Sequence, residues 1–312
     1  MSVLNRLAGG LGLFSTELRF GEATDIRAAA GELDELGFTG LWVPGGFGGP
    51  LFDSVRLLLE STRRTAVATG IANIWAHPAD EVASTYASLT GEHPDRFLLG
   101  LGVSHPEFAP VMGVDNYGRP MATMRAYLDA LDDAGVPATG RVLAALGPKM
   151  RELAVRRSAG IHSYFVPSAH TRVTREEAGA DAVIAVEHAV VVEESPSIAR
   201  EAARCYTSLY LGLPNYTRNL ERFGYTAEDF ADGGSDRLVD DLVAWGSLDQ
   251  ISDRLGEHLR AGADHVCAQV ITPGWDPRKL LAGDGVRQPL EQWRQLAKIA
   301  GSMEGRGQRG QG

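Results

Sequence analysis

Apolar residues recur along this chain in two alternating patterns, one typical of buried strands and the other of amphipathic helices. Residues 66–75 and 97–103 are short apolar runs with β-branched residues and glycine, which predict strands. Between them, Val82, Tyr86 and Leu89 recur at three- and four-residue spacing and predict a helix with one apolar face. Two strands joined by a helix form a parallel βαβ unit, whose strands are covered on both faces.

The same alternation extends over most of the sequence. Further strands are predicted at residues 9–14, 39–43, 141–146, 161–166, 182–192 and 265–271. Helices are predicted at residues 23–36, 52–63, 121–133, 147–158, 172–178, 248–261 and 291–299. Eight strands that alternate with helices predict the α/β fold class and a (β/α)8 TIM barrel.

Two parts of the sequence depart from this alternation. Residues 197–246 predict helices near 198–211 and 236–245, so we expect a helical insertion before the last strand. Residues 301–312 are rich in glycine, glutamine and arginine, and we expect them to be a disordered tail after a single barrel domain of residues 1–300. A doubly wound sheet would need a G-x-G-x-x-G motif after its first strand, and the glycines of residues 9–12 lack that spacing.

Composition and charge argue against several classes of protein. Of the 312 residues, 44% are hydrophobic and 22% charged, as in an ordinary globular protein. The net charge of -10 argues against a nucleic acid partner, and no apolar run approaches the roughly 20 residues that cross a membrane. Cys205 and Cys267 are isolated in the sequence, which favours a reducing cytoplasm and indicates neither disulfides nor a metal site.

Polar side chains gather directly after two of the predicted strands. Asn73 and His77 follow the third strand, and Ser104 and His105 follow the fourth. Because ligands bind at the carboxyl ends of barrel strands, we expect these residues to open on one cavity. Histidine transfers protons near neutral pH, so His77 and His105 are candidate catalytic residues, although His77 could equally cap the next helix. His188 lies inside a long predicted strand, where a structural role is the simpler interpretation.

The turn formed by Gly147, Pro148 and Lys149 has the properties of an anion site. Glycine permits close approach of the backbone, proline begins a helix, and the free N–H groups of the first helical turn attract negative charge. Lys149 adds a positive charge. The alternative is an ordinary turn with an exposed lysine.

Five segments of the chain carry a resemblance to a known family. GIANIWAHPADEVASTYASL, followed by DRFLLGLGVSHP, resembles the third and fourth βα units of the luciferase-like monooxygenase superfamily. The resemblance is closest to its coenzyme F420-dependent oxidoreductases, which YGRPMATMRAYLDAL, LAALGPKMRELA and AGADHVCAQVI also resemble. Together these segments extend from about residue 9 to residue 270.

The resemblance implies an oxidoreductase that transfers a hydride between coenzyme F420 and a small organic substrate. The alternatives are an FMN-dependent monooxygenase on the same barrel and a flavin-binding relative without catalysis. It also implies a homodimer formed through the early helices, and the predicted helix 52–63 is apolar over a broad arc that contains Val55, Leu57, Leu58 and Leu59. The substrate and the direction of hydride transfer stay open.

The resemblance further implies roles for individual residues. Residues 71–74, which include Ala72 and Asn73, match a strand bulge where a non-prolyl cis peptide supports the middle ring of the cofactor. Gly147, Pro148 and Lys149 would lie beside the phosphate of the cofactor. The remaining candidate cofactor contacts are Ser104, Ser163, Thr171 and Arg172, of which the last three would reach the phosphate or the polyglutamate tail.

The sequence departs from the family pattern at two places where relatives carry a proton donor. The first strand ends in Phe14-Ser15, and the second ends in Val43-Pro44, so neither is followed directly by a carboxylate or a histidine. Glu17 is the nearest acid and is an alternative proton donor, but a glutamate at the start of a loop is expected to be solvated. The identity of the proton donor therefore stays open.

Overall fold

The structure is a computed structural model, and it describes residues 2–45, 50–108, 117–276 and 286–304. Ten strands lie in one sheet, and all of their pairings are parallel. They are β1 (Leu11–Phe14), β2 (Gly40–Val43), β3 (Ala66–Thr69), β4 (Ala72–Asn73), β5 (Phe97–Gly102), β6 (Arg141–Ala144), β7 (Gly160–Ser163), β8 (Val183–Val191), β9 (Val243–Trp245) and β10 (His265–Val270).

The sheet closes into a barrel because β10 pairs with β8 on one side and with β1 on the other. β3 and β4 together count as one interrupted strand of the barrel, and β9 is not part of the closed ring. The closed ring therefore has eight parallel strands. The predicted α/β class and (β/α)8 barrel are therefore confirmed.

Helices cover the outside and the two ends of this barrel. They are α1 (Val3–Leu7), α2 (Glu17–Phe20), α3 (Ala23–Glu35), α4 (Leu51–Ser61), α5 (Ala79–Glu92), α6 (Pro120–Asp133), α7 (Pro148–Arg157), α8 (Ser168–Ala178), α9 (Pro196–Leu211), α10 (Pro214–Glu221), α11 (Ala227–Phe230), α12 (Asp236–Leu242), α13 (Leu248–Arg260) and α14 (Leu290–Glu304). Short 3-10 turns occupy Pro106–Phe108, Ala138–Gly140 and Ala231–Gly233. In the described part of the chain, no helix has both the length and the hydrophobicity of a membrane span.

The predicted third strand, residues 66–75, is in fact two short strands separated by a bulge. Ala68 pairs with Leu98 and Ala72 pairs with Leu101, so four steps along one strand match three steps along β5. One extra residue is therefore inserted, which is the definition of a β-bulge. The peptide bond between Gly70 and Ile71, inside this bulge, is cis.

Helices α9 to α12 form the predicted insertion before the last barrel strand. One detail of the prediction was wrong, since residues 243–245 form β9 and do not end a helix. The long strand β8 pairs with β7 only as far as Val186, and β10 occupies its other edge. β9 pairs with Ala189–Val191 and so satisfies backbone groups that would otherwise lack partners.

Side chains fill the barrel interior at the amino-terminal ends and at the middle of the strands. The indole ring of Trp42 stacks on His162 with ring centroids 4.4 Å apart, and its Nε1–H donates to Nε2 of His265 at 3.0 Å. Nδ1 of His265 lies 3.0 Å from the carbonyl oxygen of Leu7 in α1, the helix that covers the amino-terminal end. Free space is consequently left at the carboxyl ends of the strands.

Candidate active site

A cavity of ≈ 440 Å³ opens at the carboxyl ends of the barrel strands. This volume lies within the range of small-molecule and cofactor sites. Its wall is mostly apolar and comes from strand ends and from the insertion. The strand ends contribute Phe14, Ile71, His105, His162 and Tyr164, and the insertion contributes Leu209, Tyr210, Leu213, Asn215 and Tyr216. A second hollow, of ≈ 420 Å³, lies between α5 and the residues after α6, away from the strand ends.

The bulge between β3 and β4 forms one side of the cavity, and neighbouring backbone fixes its position. The hydroxyl of Thr69 accepts from the backbone N–H of Gly100 and donates to the carbonyl oxygen of Gly100, both at 2.8 Å. A Cβ at Gly45 would lie 2.0 Å from the carbonyl oxygen of Ile71, so only glycine permits this approach. Gly70 and Ile71 both line the cavity.

Ser104 and His105 follow β5 and both line the cavity, as the sequence predicts. Ser104 has φ 57, in the left-handed region, and its carbonyl oxygen accepts a hydrogen bond of 2.8 Å from the hydroxyl of Tyr117. Nδ1 of His105 is buried and has no hydrogen-bond partner among the described residues. Burial lowers the pKa of His105, so its ring is neutral at pH 7.

His77 does not line the cavity. Its ring packs edge-on against Phe52 with centroids 5.3 Å apart, and burial is the main cause that lowers its pKa. Pro78, and not His77, is the cap residue of α5. Ala72 and Asn73 are buried in β4, beside the lining residue Ile71 but outside the lining itself, and Oδ1 of Asn73 accepts from the N–H of Trp75 at 3.1 Å.

Gly147 is the cap residue of α7, with Pro148 in its first turn, as predicted. The preceding residue, Leu146, lines the cavity, so the free N–H groups of the helix begin at the cavity edge. Lys149 is exposed in the first turn. The three residues thus lie at the correct end of the barrel for an anion carried by a ligand in the cavity.

The remaining predicted contacts lie outside the cavity lining. Ser163 is on the opposite face of β7 from His162, and it is buried between the barrel and the helices. The hydroxyl of Thr171 is 2.8 Å from Nδ1 of His258, whose Nε2 is 3.0 Å from Nδ1 of His188. This buried chain supports the structural interpretation of His188. Arg172 is exposed on α8.

Glu17 is buried, and the expectation that it is solvated was wrong. It is 6% exposed because residues 17–20 form a short helix that packs against α3 and α4. The hydroxyl of Ser15 donates to its carboxylate at 2.8 Å, and burial raises its pKa. A carboxyl group therefore lies behind the end of β1, next to the lining residues Phe14 and Thr16.

A group of tyrosines that the sequence did not single out forms another wall. The hydroxyl of Tyr164 is 2.7 Å from that of Tyr210 and donates to Oε1 of Gln269 at 2.8 Å. Next to these tyrosines, the carboxylate of Glu187 accepts two hydrogen bonds, each of 3.3 Å. The hydroxyl of Tyr206 donates to its Oε1, and the backbone N–H of Phe165 donates to its Oε2. Burial raises the pKa of Glu187 to about 8. The available signal was an acidic residue inside the almost wholly apolar segment 182–192.

Comparison with known proteins agrees with this architecture. Residues 5–135 match the family model described as luciferase-like monooxygenase. The predicted resemblance to the luciferase-like monooxygenases is confirmed. A Mycobacterium tuberculosis protein, for which coenzyme F420-dependent oxidoreductase activity is proposed, is 23% identical over 80% of this chain and 90% of its own length.

Several solved structures share the fold. The coenzyme F420-dependent tetrahydromethanopterin reductase of Methanopyrus kandleri superposes with a TM-score of 0.69 at 16% identity, covering 88% of this chain and 96% of that one. An F420-dependent secondary alcohol dehydrogenase, solved with an F420-acetone adduct, gives a TM-score of 0.66 at 14% identity, with 87% and 96% covered. The oxygenating constituent of 3,6-diketocamphane monooxygenase from Pseudomonas putida, solved with FMN, gives 0.67 at 16% identity, with 95% and 98% covered.

Proposed function

We propose that this chain is a coenzyme F420-dependent oxidoreductase that transfers a hydride between the deazaflavin and a small organic substrate. The observation that carries the proposal is one apolar cavity at the strand ends, bordered by the β3–β4 bulge and by the start of α7. The Mycobacterium tuberculosis relative and two of the similar structures, described above as F420-dependent, support the same choice of cofactor.

The residues present fit a tricyclic ring with a phosphate-bearing side chain. Phe14, Ile71 and Tyr164 would contact a flat ring, and the N–H groups after Gly147 would bind a phosphate. Nδ1 of His105, which has no hydrogen-bond partner in the part of the chain that the structure describes, supplies a polar group within the apolar wall. When bound, the deazaflavin supplies the hydride donor or acceptor, according to its oxidation state.

His105 is the candidate for moving a proton at the substrate. A hydride that reaches a carbonyl carbon requires a proton at the carbonyl oxygen, and the reverse reaction releases that proton. Because burial lowers its pKa, His105 is neutral at pH 7 and can donate from one ring nitrogen or accept at the other. Its ring lies between Phe108 and Tyr216, with centroids 5.7 and 5.0 Å away, which hold it at the cavity wall.

An FMN-dependent monooxygenase is the second candidate. The observation that favours it is the FMN-bound structure from Pseudomonas putida, which matches 95% of this chain. FMN carries the same kind of ring and a phosphate, so the cavity and the start of α7 would serve it equally.

Titration of the purified protein with F420 and with FMN, followed by flavin fluorescence, separates the two candidates. Tighter binding of F420, with turnover on a panel of alcohols and ketones, supports the first. Tighter binding of FMN supports the FMN-dependent monooxygenase instead. Binding without turnover favours a relative without catalysis, and binding of neither cofactor contradicts the proposal.

We also infer that the chain acts as a homodimer in the cytoplasm. Both cysteines are free, as in a reducing compartment. In α4, Val55, Leu58 and Leu59 are buried within the chain, while Phe52 and Leu57 remain half-buried and are available to a second copy.

A further inference from the structure

Strand β8 carries a carboxyl group into the interior of the barrel. Ala185 belongs to the interior cluster that contains Trp42, while Val186 packs with residues of the surrounding helices. Because side chains alternate along a strand, Glu187 points inwards like Ala185. It is 1% exposed, and burial of an acid in an apolar interior costs free energy. Packing alone does not explain an acid at this position.

Two tyrosine hydroxyls connect Glu187 with the cavity. The hydroxyl of Tyr206 is 3.3 Å from Oε1 of Glu187, and the side chains of Tyr206 and Tyr164 are hydrogen-bonded to each other. Tyr164 lines the cavity, where its hydroxyl is also 2.7 Å from that of Tyr210 and 2.8 Å from Oε1 of Gln269. The path from the carboxyl group to the cavity therefore passes through two hydroxyl groups.

The other contact of the Glu187 carboxyl group offers no path for a proton. Its Oε2 accepts from the backbone N–H of Phe165, which cannot take up a proton in exchange. In the part of the chain that the structure describes, no basic side chain pairs with Glu187. Burial raises its pKa to about 8, so the group keeps its proton at pH 7 and can release it close to neutral pH.

The titratable groups around Glu187 stay neutral in the same range of pH. Burial raises the pKa of each above its ordinary value, and they are Tyr164 after β7, Tyr206 and Tyr210 of α9, Tyr216 of α10 and Cys267 of β10. A hydroxyl group is both a donor and an acceptor, and its proton can turn towards either neighbour. The tyrosines can therefore pass a proton on without becoming ionised.

We propose that Glu187 supplies, through Tyr206 and Tyr164, the proton that accompanies the hydride. The inference rests on the proposed function, because this proton is needed only where a hydride reaches or leaves a substrate carbon. In carbonyl reduction, the substrate oxygen takes the proton of Tyr164, Tyr164 takes that of Tyr206, and Tyr206 takes that of Glu187. One O–H bond breaks and one forms at each hydroxyl, and Glu187 ends as a carboxylate. Alcohol oxidation reverses these steps.

This path is distinct from His105, the other candidate for moving a proton. The ring of Tyr216 packs against both walls, with centroids 5.0 Å from His105 and 5.4 Å from Tyr210. Burial lowers the pKa of His105 and raises that of Glu187, so the two candidates change protonation on opposite sides of neutral pH. The pH dependence of turnover therefore distinguishes them.

The first measurement uses the protein without cofactor. Infrared spectroscopy follows the C=O stretch of protonated Glu187, identified as the band that Glu187→Gln lacks, after transfer from water to D2O. Tyr206→Phe and Tyr164→Phe should slow the isotope shift of this band about tenfold or more, because exchange then requires local opening of the fold. Tyr225→Phe is the matched control and should exchange like wild type, since the hydroxyl of Tyr225 bonds to Asp241 within the insertion.

The second measurement is the pH dependence of kcat for reduction of the ketones that the protein accepts. In wild type, kcat should fall as the pH rises through about 8, because Glu187 loses its proton. Glu187→Gln should abolish this fall and lower kcat about tenfold or more with little change in KM, since Glu187 does not contact the substrate. Glu201→Gln, exposed on α9, should keep the wild-type profile. Circular dichroism verifies that each variant is folded.

Three outcomes would overturn the inference and leave the proposed function intact. One is a wild-type kcat and pH profile in Glu187→Gln. Another is a lower kcat that still falls above pH 8, which would give Glu187 a structural role only. The third is exchange in wild type as slow as in Tyr206→Phe, which would mean that the carboxyl group has no outlet to the cavity. Absence of turnover with either cofactor would contradict the proposed function and the inference together.

Discussion

Glu187→Gln should change how the stability of the protein depends on pH, because the barrel encloses this carboxyl group. Glu187 is 1% exposed, and burial raises its pKa from 4.5 to about 8. In the unfolded chain its pKa returns to the ordinary value. Between these two values the folded protein keeps a proton that the unfolded chain releases, so the stability of wild type falls as the pH rises through that window.

The size of the effect follows from the two pKa values. A tenfold change in proton affinity corresponds to about 1.4 kcal/mol. Between pH 5 and pH 9, ionisation of Glu187 alone should therefore lower the free energy of unfolding of wild type by about 4 kcal/mol. Glutamine keeps an oxygen that can accept from the N–H of Phe165, and it carries no charge. The free energy of unfolding of the variant should therefore not fall in this way as the pH rises.

The other buried groups around Glu187 do not titrate in the same window. Tyr164, Tyr206 and Tyr216 have pKa values raised above 10 by burial, and burial also raises the pKa of Cys267, which pairs with Glu187 across the sheet. The buried histidines, such as His162 with a pKa lowered to about 3, change their protonation at a pH below this window. These groups are common to wild type and variant, so their contributions largely cancel in the difference.

Urea unfolding at pH 5, 7 and 9, followed by circular dichroism, gives the difference in free energy between Glu187→Gln and wild type at each pH. We expect this difference to shift in favour of the variant by several kcal/mol from pH 5 to pH 9. Glu201→Gln, on the exposed side of α9, is the control and should follow wild type at every pH. Parallel curves for wild type and Glu187→Gln would show that Glu187 is ionised in the fold at pH 7.

Three other predictions concern the cofactor and the assembly. Lys149→Ala should weaken the binding of both FMN and F420 by a few-fold, because an exposed charge at a helix start contributes about 0.3–1 kcal/mol. Titrations identical to those of wild type would show that Lys149 does not contact the phosphate. Arg172→Ala should weaken F420 more than FMN, because only F420 carries a polyglutamate tail, and equal effects on both would contradict this role. Light scattering over a concentration series should give the mass of a homodimer, and a monomer mass throughout would contradict that prediction.

The barrel could be predicted from the sequence because strand and helix periods alternate cleanly and strand ends carry polar residues. The break inside the third strand could not be predicted from propensity, because residues 66–75 are mostly apolar, and only the resemblance implied a bulge, at residues 71–74. The bulge depends on contacts with distant backbone, such as the pairing of Thr69 with Gly100. β9 was missed for a similar reason, since a strand of three residues exists only because β8 leaves an edge to pair with.

The site was harder to predict than the fold, because burial of a charged residue is decided by tertiary packing. Glu17 and Glu187 are acidic residues, which usually lie at the surface, and yet both are enclosed. Thr171 follows a strand and satisfies the sequence criterion for a ligand contact, but its hydroxyl is already bonded to His258. Position after a strand therefore selects the correct end of the barrel and does not decide which side chains reach the cavity.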